Sequence, residues 1–339
     1  MAIKNFASSQ RKQKAKRLLS NFSSLNLRTF IFSFLFFTIS ERFLISCASE
    51  ITLKIEGGGN QRFINAAFES KINKVTVDND GSTGCRDTCN LSEGEHTVVI
   101  EFKDGEVNLC NQMFLDLTNI REINLNSFDA SGVTEMNEMF KNCANLQTVT
   151  FGNMGAHNAY TMGGLFEGCK KLSTIDLDKL SMSPVKNINY MFKNCSSLNS
   201  ITLGETNTLY GMLNLFEGCT NLVSVDISRI RTSDVTEMKW LFHDCYKLQN
   251  VNFGNIDTTK VYTMTAMFSG CHELRSVDLS KFVTSNVQEM NLMFDRCSSL
   301  ASLDLSSWDF KKVSNMAYMF KYCKILKVLI LEILKLQLY

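Results

Sequence analysis

The chain of 339 residues has few histidines, no excess of either charge, and no apolar run long enough to span a bilayer. Each shortage removes a class of function. His96, His157, His243 and His272 fall at unrelated phases of the chain's internal repeat, at no triad or metal spacing, and no phosphate-binding glycine loop is present. Catalytic residues, metal ligands and cofactors are therefore all assigned as none, since an enzyme site needs convergent polar groups. Thirty-five Lys and Arg against 34 Asp and Glu leave a net charge of +1. Residues 1–28 carry seven of those basic residues and no acid, so the rest is slightly acidic and nucleic acid is not the expected partner.

The longest apolar run, Phe30–Ile39, has ten residues, and Glu41 and Arg42 keep it from extending further. A basic flank, a short apolar stretch and then Ser46, Cys47, Ala48 and Ser49 describe a secretory signal over residues 1–48. Left uncleaved, the same segment is a signal anchor with the N-terminus inside, and that is the one membrane contact expected. Leu44-Ile45-Ser46-Cys47 also fits a lipoprotein signal. All three readings export the remainder, which is expected to be secreted or held at the cell surface.

What is abundant is repetition. Cys143, Cys169, Cys195, Cys219, Cys245, Cys271, Cys297 and Cys323 are separated by 26 residues at every step except one of 24. A fixed period of this length predicts a solenoid of stacked supersecondary units. Apolar residues recur at offsets 0, 3, 4, 7 and 10 in each unit, as in Met136, Met139, Phe140, Cys143 and Leu146. That spacing predicts one face of a helical turn or two. An alternating triplet such as Val277-Asp278-Leu279 comes next and reads as a short strand, then a turn-rich link. Residues 111–136 are read as a first, degenerate unit in which Leu117 replaces cysteine, and residues 332–339 as an atypical tail.

The unit Val287-x-x-Met290-x-x-Met293-Phe294-x-x-Cys297-x-x-Leu300-x-x-Leu303-Asp304-Leu305-Ser306 resembles the 26-residue surface protein repeat of the BspA-like leucine-rich repeat proteins. The resemblance covers roughly 111–331. It implies an α/β repeat solenoid, a right-handed leucine-rich-repeat-like coil with a parallel β-sheet, displayed at the cell surface for adhesion or protein binding. Thr150, Thr202 and Asn252 depart from the Asp of the pattern.

Ahead of the repeats, residues 49–110 are expected to form a small β-rich cap with strands near 51–55, 74–77 and 96–102. Cys85, Cys89 and Cys110 are its disulfide candidates, with Cys85–Cys89 the default and Cys110 with either as alternatives. Asn90 is the candidate glycosylation site, and the second sequon, at Asn194, is expected to be inaccessible beside a core cysteine.

The cysteine column admits a metal, a disulfide or a packing reading. Single thiols stacked about 4.8 Å apart do not converge as a tetrahedron, and parallel Cβ vectors are poorly placed for bridging, so packing is expected. The outward strand column, Thr150, Asp176, Thr202, Asp226, Asn252, Asp278 and Asp304, is the candidate binding face. Beside it, Gln147, Gln249 and Arg275 belong to a column that varies freely, whereas Thr148, Thr174 and Ser200 are read as an internal hydrogen-bond ladder. The expected function is non-enzymatic binding of a protein or of a host or matrix surface ligand. The alternative is a coat or wall protein that self-associates along its terminal edge.

Overall fold

Alternating residues build the N-terminal part. Ile51, Leu53 and Ile55 of β1 (Glu50–Glu56) point inward and are fully buried, and Val98, Ile100 and Phe102 do the same in β5 (Glu95–Phe102). The computed structural model describes residues 49–79, 84–152, 154 and 156–330; the expected signal segment and the tail lie outside these residues. Two strands escaped the sequence reading, β2 (Gly59–Arg62) and β4 (Thr88–Leu91), which pair as an antiparallel ribbon whose Cys89 and Leu91 pack against the core. The sole helix among the described residues is a 3-10 helix, Ala66–Lys71, capped by the Asn65 side chain. It leads into β3 (Ile72–Val77).

The first sheet has the order β3-β5-β1-β6-β7, where β6 is Ile120–Asn124 and β7 is Thr148–Thr150. Strand β1 runs antiparallel to β6, and β6 runs parallel to β7 with Ile123 opposite Val149. The cap therefore continues into the first repeats through one hydrogen-bonded sheet. Farther on, β8 (Ser200–Thr202), β9 (Ser224–Asp226) and β10 (Asn250–Asn252) form a parallel three-stranded sheet, and β11 (Ser302–Asp304) pairs parallel with β12 (Val328–Ile330). The equivalent triplets Thr174–Asp176 and Ser276–Asp278 carry no strand, so the ladder is broken there.

The helical turns expected before each cysteine are corrected: those segments are runs of β-turns. In the unit of Cys143, the N–H groups of Met139, Lys141, Cys143 and Leu146 bond carbonyls three residues back at 3.0–3.4 Å. The intervening N–H groups of Met136, Glu138, Phe140 and Asn142 bond Thr161, Gly163, Leu165 and Glu167 of the next repeat at 2.7–3.0 Å. An α-helix would spend all these donors internally, whereas here half of them join neighbours. The geometry needs a left-handed residue at two positions per repeat, one and five before the cysteine, as at Glu138 (φ 55°) and Asn142 (φ 58°). Gln112 (φ 58°) and Asp116 (φ 62°) keep it in the first, cysteine-less unit.

The core is built of columns. Phe114, Phe140, Phe166, Phe192, Phe216, Phe242, Phe268, Phe294 and Phe320 stack with centroids 5.2–5.7 Å apart and planes within 17°. Beside them, each thiol from Cys143 to Cys323 donates to the carbonyl of a Phe in the preceding repeat, at 3.0–3.2 Å. That carbonyl already accepts an N–H within its own repeat, as Phe140 does from Cys143. A cysteine thus supplies apolar bulk and a weak donor for a buried second lone pair.

One titrating contact tunes the cap. His96 Nδ1 lies 2.7 Å from Asp78 Oδ2, and its Nε2 lies 2.9 Å from the Ser92 carbonyl, so both ring nitrogens face acceptors. The Asp78 hydrogen bond, then that of Ser92, raises the His96 pKa, and the His96 hydrogen bond lowers that of Asp78. The His96 contribution is fully present below the unfolded-state value and is lost as pH rises through the folded-state value; the Asp78 contribution is lost as pH falls through its own. The expected result is a urea midpoint that declines as pH rises through roughly 6 to 8, with a flatter profile for His96→Gln. A wild-type midpoint that rises over this window would contradict the assignment.

Candidate binding faces

Each strand triplet turns its first and third residues to solvent and its middle residue inward, as Thr148, Val149 and Thr150 do in β7. Thr150, Asp176, Thr202, Asn252, Asp278 and Asp304 are exposed, Asp226 is half-buried, and Gln147, Gln249 and Arg275 are exposed. The Thr148 column has the same parity as Thr150, so Thr148, Thr174 and Ser200 are exposed too; the internal ladder expected of them is corrected. Register brings Thr202, Asp226 and Asn252 side by side, with Asn252 Nδ2 donating to Asp226 Oδ2 at 3.1 Å. Asp176 and Asp278 fall in the two units without a strand.

The acidic column also has a local structural task. Oδ1 of Asp176, Asp226, Asp278 and Asp304 accepts the N–H two residues on, at 2.9–3.0 Å, and Asn252 does the same for Gly254 at 3.2 Å. These Asx turns end strands β9, β10 and β11 and start the link in the five units that carry them. The Ser228 hydroxyl holds the Asp226 carboxyl below the usual carboxylate range, as Ser280 does for Asp278 and the Ser306 N–H does for Asp304. The motif was visible as Asx-apolar-Ser, Asx-apolar-Asp or Asx-apolar-Gly, and the two departures, Thr150 and Thr202, each have Gly two residues later.

Burial removes the cysteine column from chemistry. It pushes the Cys143 thiol up to about 12, Cys323 up to about 11, and Cys169, Cys195, Cys245, Cys271 and Cys297 well above the ordinary value. Cys85 and Cys89 are joined as a disulfide, and Cys110 is a buried free thiol whose pKa rises to about 12 through desolvation. Asn90 is exposed on β4; Asn194, expected to be inaccessible, is exposed as well, because its left-handed backbone turns it out of the core. Among the described residues, no three of His, Cys, Asp and Glu are placed to hold a metal, and no helix is long and apolar enough to cross a membrane.

A recess went unforeseen although its signal was the lone 24-residue step. The link of that repeat is two residues short: Thr206 accepts the Arg231 N–H as Thr232 accepts that of Asp257, so the missing residues lie ahead of it, where other units carry a large apolar residue such as Ile230 or Ile256. The gap opens a cavity of about 500 Å³ lined by Glu205, Ser228, Arg229, Arg231, Asn255 and Asp257, among others. Arg231 crosses it to Glu205 at 3.2 Å.

Comparison with known proteins adds a family and two distant likenesses. The family described as "Mycoplasma protein of unknown function, DUF285" matches residues 108–209 and 210–331. Among solved structures, a leucine-rich cell surface protein of Faecalibacterium prausnitzii is 14% identical over 66% of this chain and 76% of its own, with a TM-score of 0.25. A chain of the TLR13–ssRNA13 complex is 15% identical over 66% of this chain and 41% of its own, with a TM-score of 0.24, so the match spans less than half of it. No curated protein matches.

Proposed function

The chain belongs to the family described as "Mycoplasma protein of unknown function, DUF285", and from that membership and the geometry above we propose that it is an exported surface protein, a leucine-rich-repeat-like solenoid that binds a protein or matrix ligand through its strand face. The observation that carries the reading is a column of positions, exposed except for the half-buried Ser173, that differ between otherwise equivalent repeats, Gln147, Ser173, Asn199, Val223, Gln249, Arg275 and Ala301, beside a column that Asx turns hold to Asp or Asn in five repeats. Structural demand explains the constant column; the variable one is free to encode recognition. Export rests on the basic and apolar start of the chain and on the Cys85–Cys89 disulfide, which belongs to an oxidising compartment.

Two measurements test this reading. Protease treatment of intact cells is expected to remove the repeats; protection until lysis would end the export proposal. Arg275→Glu with Gln249→Glu leaves every Asx turn in place and is expected to abolish most binding of cells to a coated matrix. Asp226→Asn, Asp278→Asn and Asp304→Asn keep the accepting Oδ1 while removing charge, so they separate a charge role from a turn role. Unchanged binding in both sets would sink the strand face as a site. The rival is a coat or wall protein that self-associates without a specific ligand. Light scattering distinguishes it: a monomer excludes the coat reading.

A further inference from the structure

The two breaks in the strand ladder, at residues 174–176 and 276–278, have a common neighbour. At intact junctions the N–H eight residues after the cysteine position crosses to the next repeat: Leu125 donates to the Thr150 carbonyl at 2.8 Å, and Leu203 to Asp226 and Ile227 to Asn252 at 3.0 Å. Phe151, Leu177, Phe253 and Leu279 hold the same position beside the two breaks, and among the described residues their N–H groups make no such bond. No backbone group of 174–176 or 276–278 bonds a neighbouring repeat there either. The turn-built side has no gap. The Phe140 and Asn142 N–H groups still enter the first of these repeats at 3.0 and 2.7 Å, and those of Phe242 and Asp244 enter the second at 2.9 and 2.8 Å.

The rungs' own residues do not explain the breaks, since Ser276-Val277-Asp278 forms no strand and Ser224-Val225-Asp226 is β9. The difference lies one repeat earlier. The buried residue eight after the cysteine position is Leu or Ile in six of the eight described repeats and Phe in two, and each Phe stands directly ahead of a break. Phe151 meets Phe166 of the following repeat edge-on at 6.3 Å; Phe253 meets Phe268 at 6.4 Å and Phe282 at 5.0 Å, also edge-on. Paired strands lie only about 4.7–4.9 Å apart, so a ring set across that interval holds the next rung away on the strand side alone. The following repeat therefore tilts. Planes of the Phe column turn by 11° and 13° on the two sides of Phe166 and by 17° between Phe242 and Phe268, against 2–7° at the other five junctions.

We propose that Phe151 and Phe253 are wedges that make residues 174–176 and 276–278 one-sided hinges of the solenoid. The bonded turn side is the axis, and the strand side opens and closes about it. The strand face is then three blocks, carried by β6–β7, β8–β10 and β11–β12, joined by two flexing steps. Packing under the breaks is correspondingly looser: Ile175 and Val277 are half-buried, as is Val251 at the edge of the second break, whereas Val149, Ile201, Val225 and Leu303 are buried. A repeat array is held by nearest-neighbour interfaces, so loss of one side of an interface concentrates bending there. None of this depends on what the strand face binds.

Amide hydrogen exchange on the folded chain tests the hinges, and Phe→Leu variants test the wedges. Amides of 175–177 and 277–279 are expected to exchange at least about tenfold faster than those of 225–227, while Phe166, Gly168, Phe268 and Gly270 on the turn side stay protected. Phe151→Leu introduces a residue that five other repeats carry at this position, and is expected to slow exchange about tenfold at 175–177 alone; Phe253→Leu is expected to do so at 277–279 alone. Motion is read by pulsed electron resonance between spin labels at Gln147→Cys and Ala301→Cys, with the half-buried Cys323 changed to Ser. These positions are six repeats apart, roughly 29 Å at about 4.8 Å per step, and span both hinges. The distance distribution is expected to narrow when both Phe residues become Leu. Protection at 175–177 and 277–279 equal to that at 225–227, exchange unchanged by both Phe→Leu variants, or a distribution of unchanged width overturns the proposal.

Discussion

Phe216→Ala is expected to cost about 3–5 kcal/mol of stability, the upper end of single core truncations. The side chain is fully buried and stacks on Phe192 at 5.7 Å and on Phe242 at 5.6 Å, with planes within 7°. Its removal leaves a void facing two repeats at once. A repeat array is held by nearest-neighbour interfaces, so one truncation weakens two of them and divides the cooperative unit. The Phe216 carbonyl, which accepts the Cys219 N–H and the Cys245 thiol, shifts if the void collapses. Phe151→Ala is the internal comparison: that ring is as buried but meets the column edge-on, at 6.3 Å from Phe166, so a smaller cost is expected. Urea unfolding followed by circular dichroism reads both. Equal costs for the two variants would show that stacking does not carry the effect.

The same column shows what could be read in the sequence and what could not. Spacing alone located Phe216, Cys219 and Leu222 in the core, because burial repeats with the ruler whatever the local backbone does. It did not distinguish a helix from a run of β-turns, since both return a side chain to the same side after three or four residues. The missing signal was one position away. The residue before each cysteine is Asn142, Gly168, Asn194, Gly218, Asp244 and Gly270 in six consecutive repeats, the residue types that adopt positive φ most readily, and all six do. Strand parity placed Thr150 and Asp226 outward, yet the same alternation also put Thr148 outward. The Asx turns were overlooked because the acidic column was read for charge alone. The recess at Glu205 depended on how the neighbouring links closed over a two-residue deletion, which periodicity cannot supply.

The alternation of Asn or Asp with Gly before successive cysteines leads to the second large effect. Gly218→Ala is expected to lose about 1–3 kcal/mol, and Asn194→Gly in the same chain to recover much of that loss. Gly218 has φ +72°, where any L side chain is strained. A Cβ there would overlap Asn194 Oδ1 and lie 3.3 Å from Asn194 Cγ and 3.5 Å from its Cα. Gly168 stands in the same relation to Asn142, and Gly270 to Asp244. In these three pairs a side chain in one repeat occupies the space that glycine leaves empty in the next, although Asn142 follows Asp116 and Tyr322 follows Arg296 at the same position. Backbone strain stays in the double variant, but the overlap does not, so a double-mutant cycle in urea isolates the coupling between repeats. A coupling of about 1 kcal/mol is expected. Additive costs would mean that each glycine answers only to its own φ, and the overlap with Asn194 would carry no coupling between repeats.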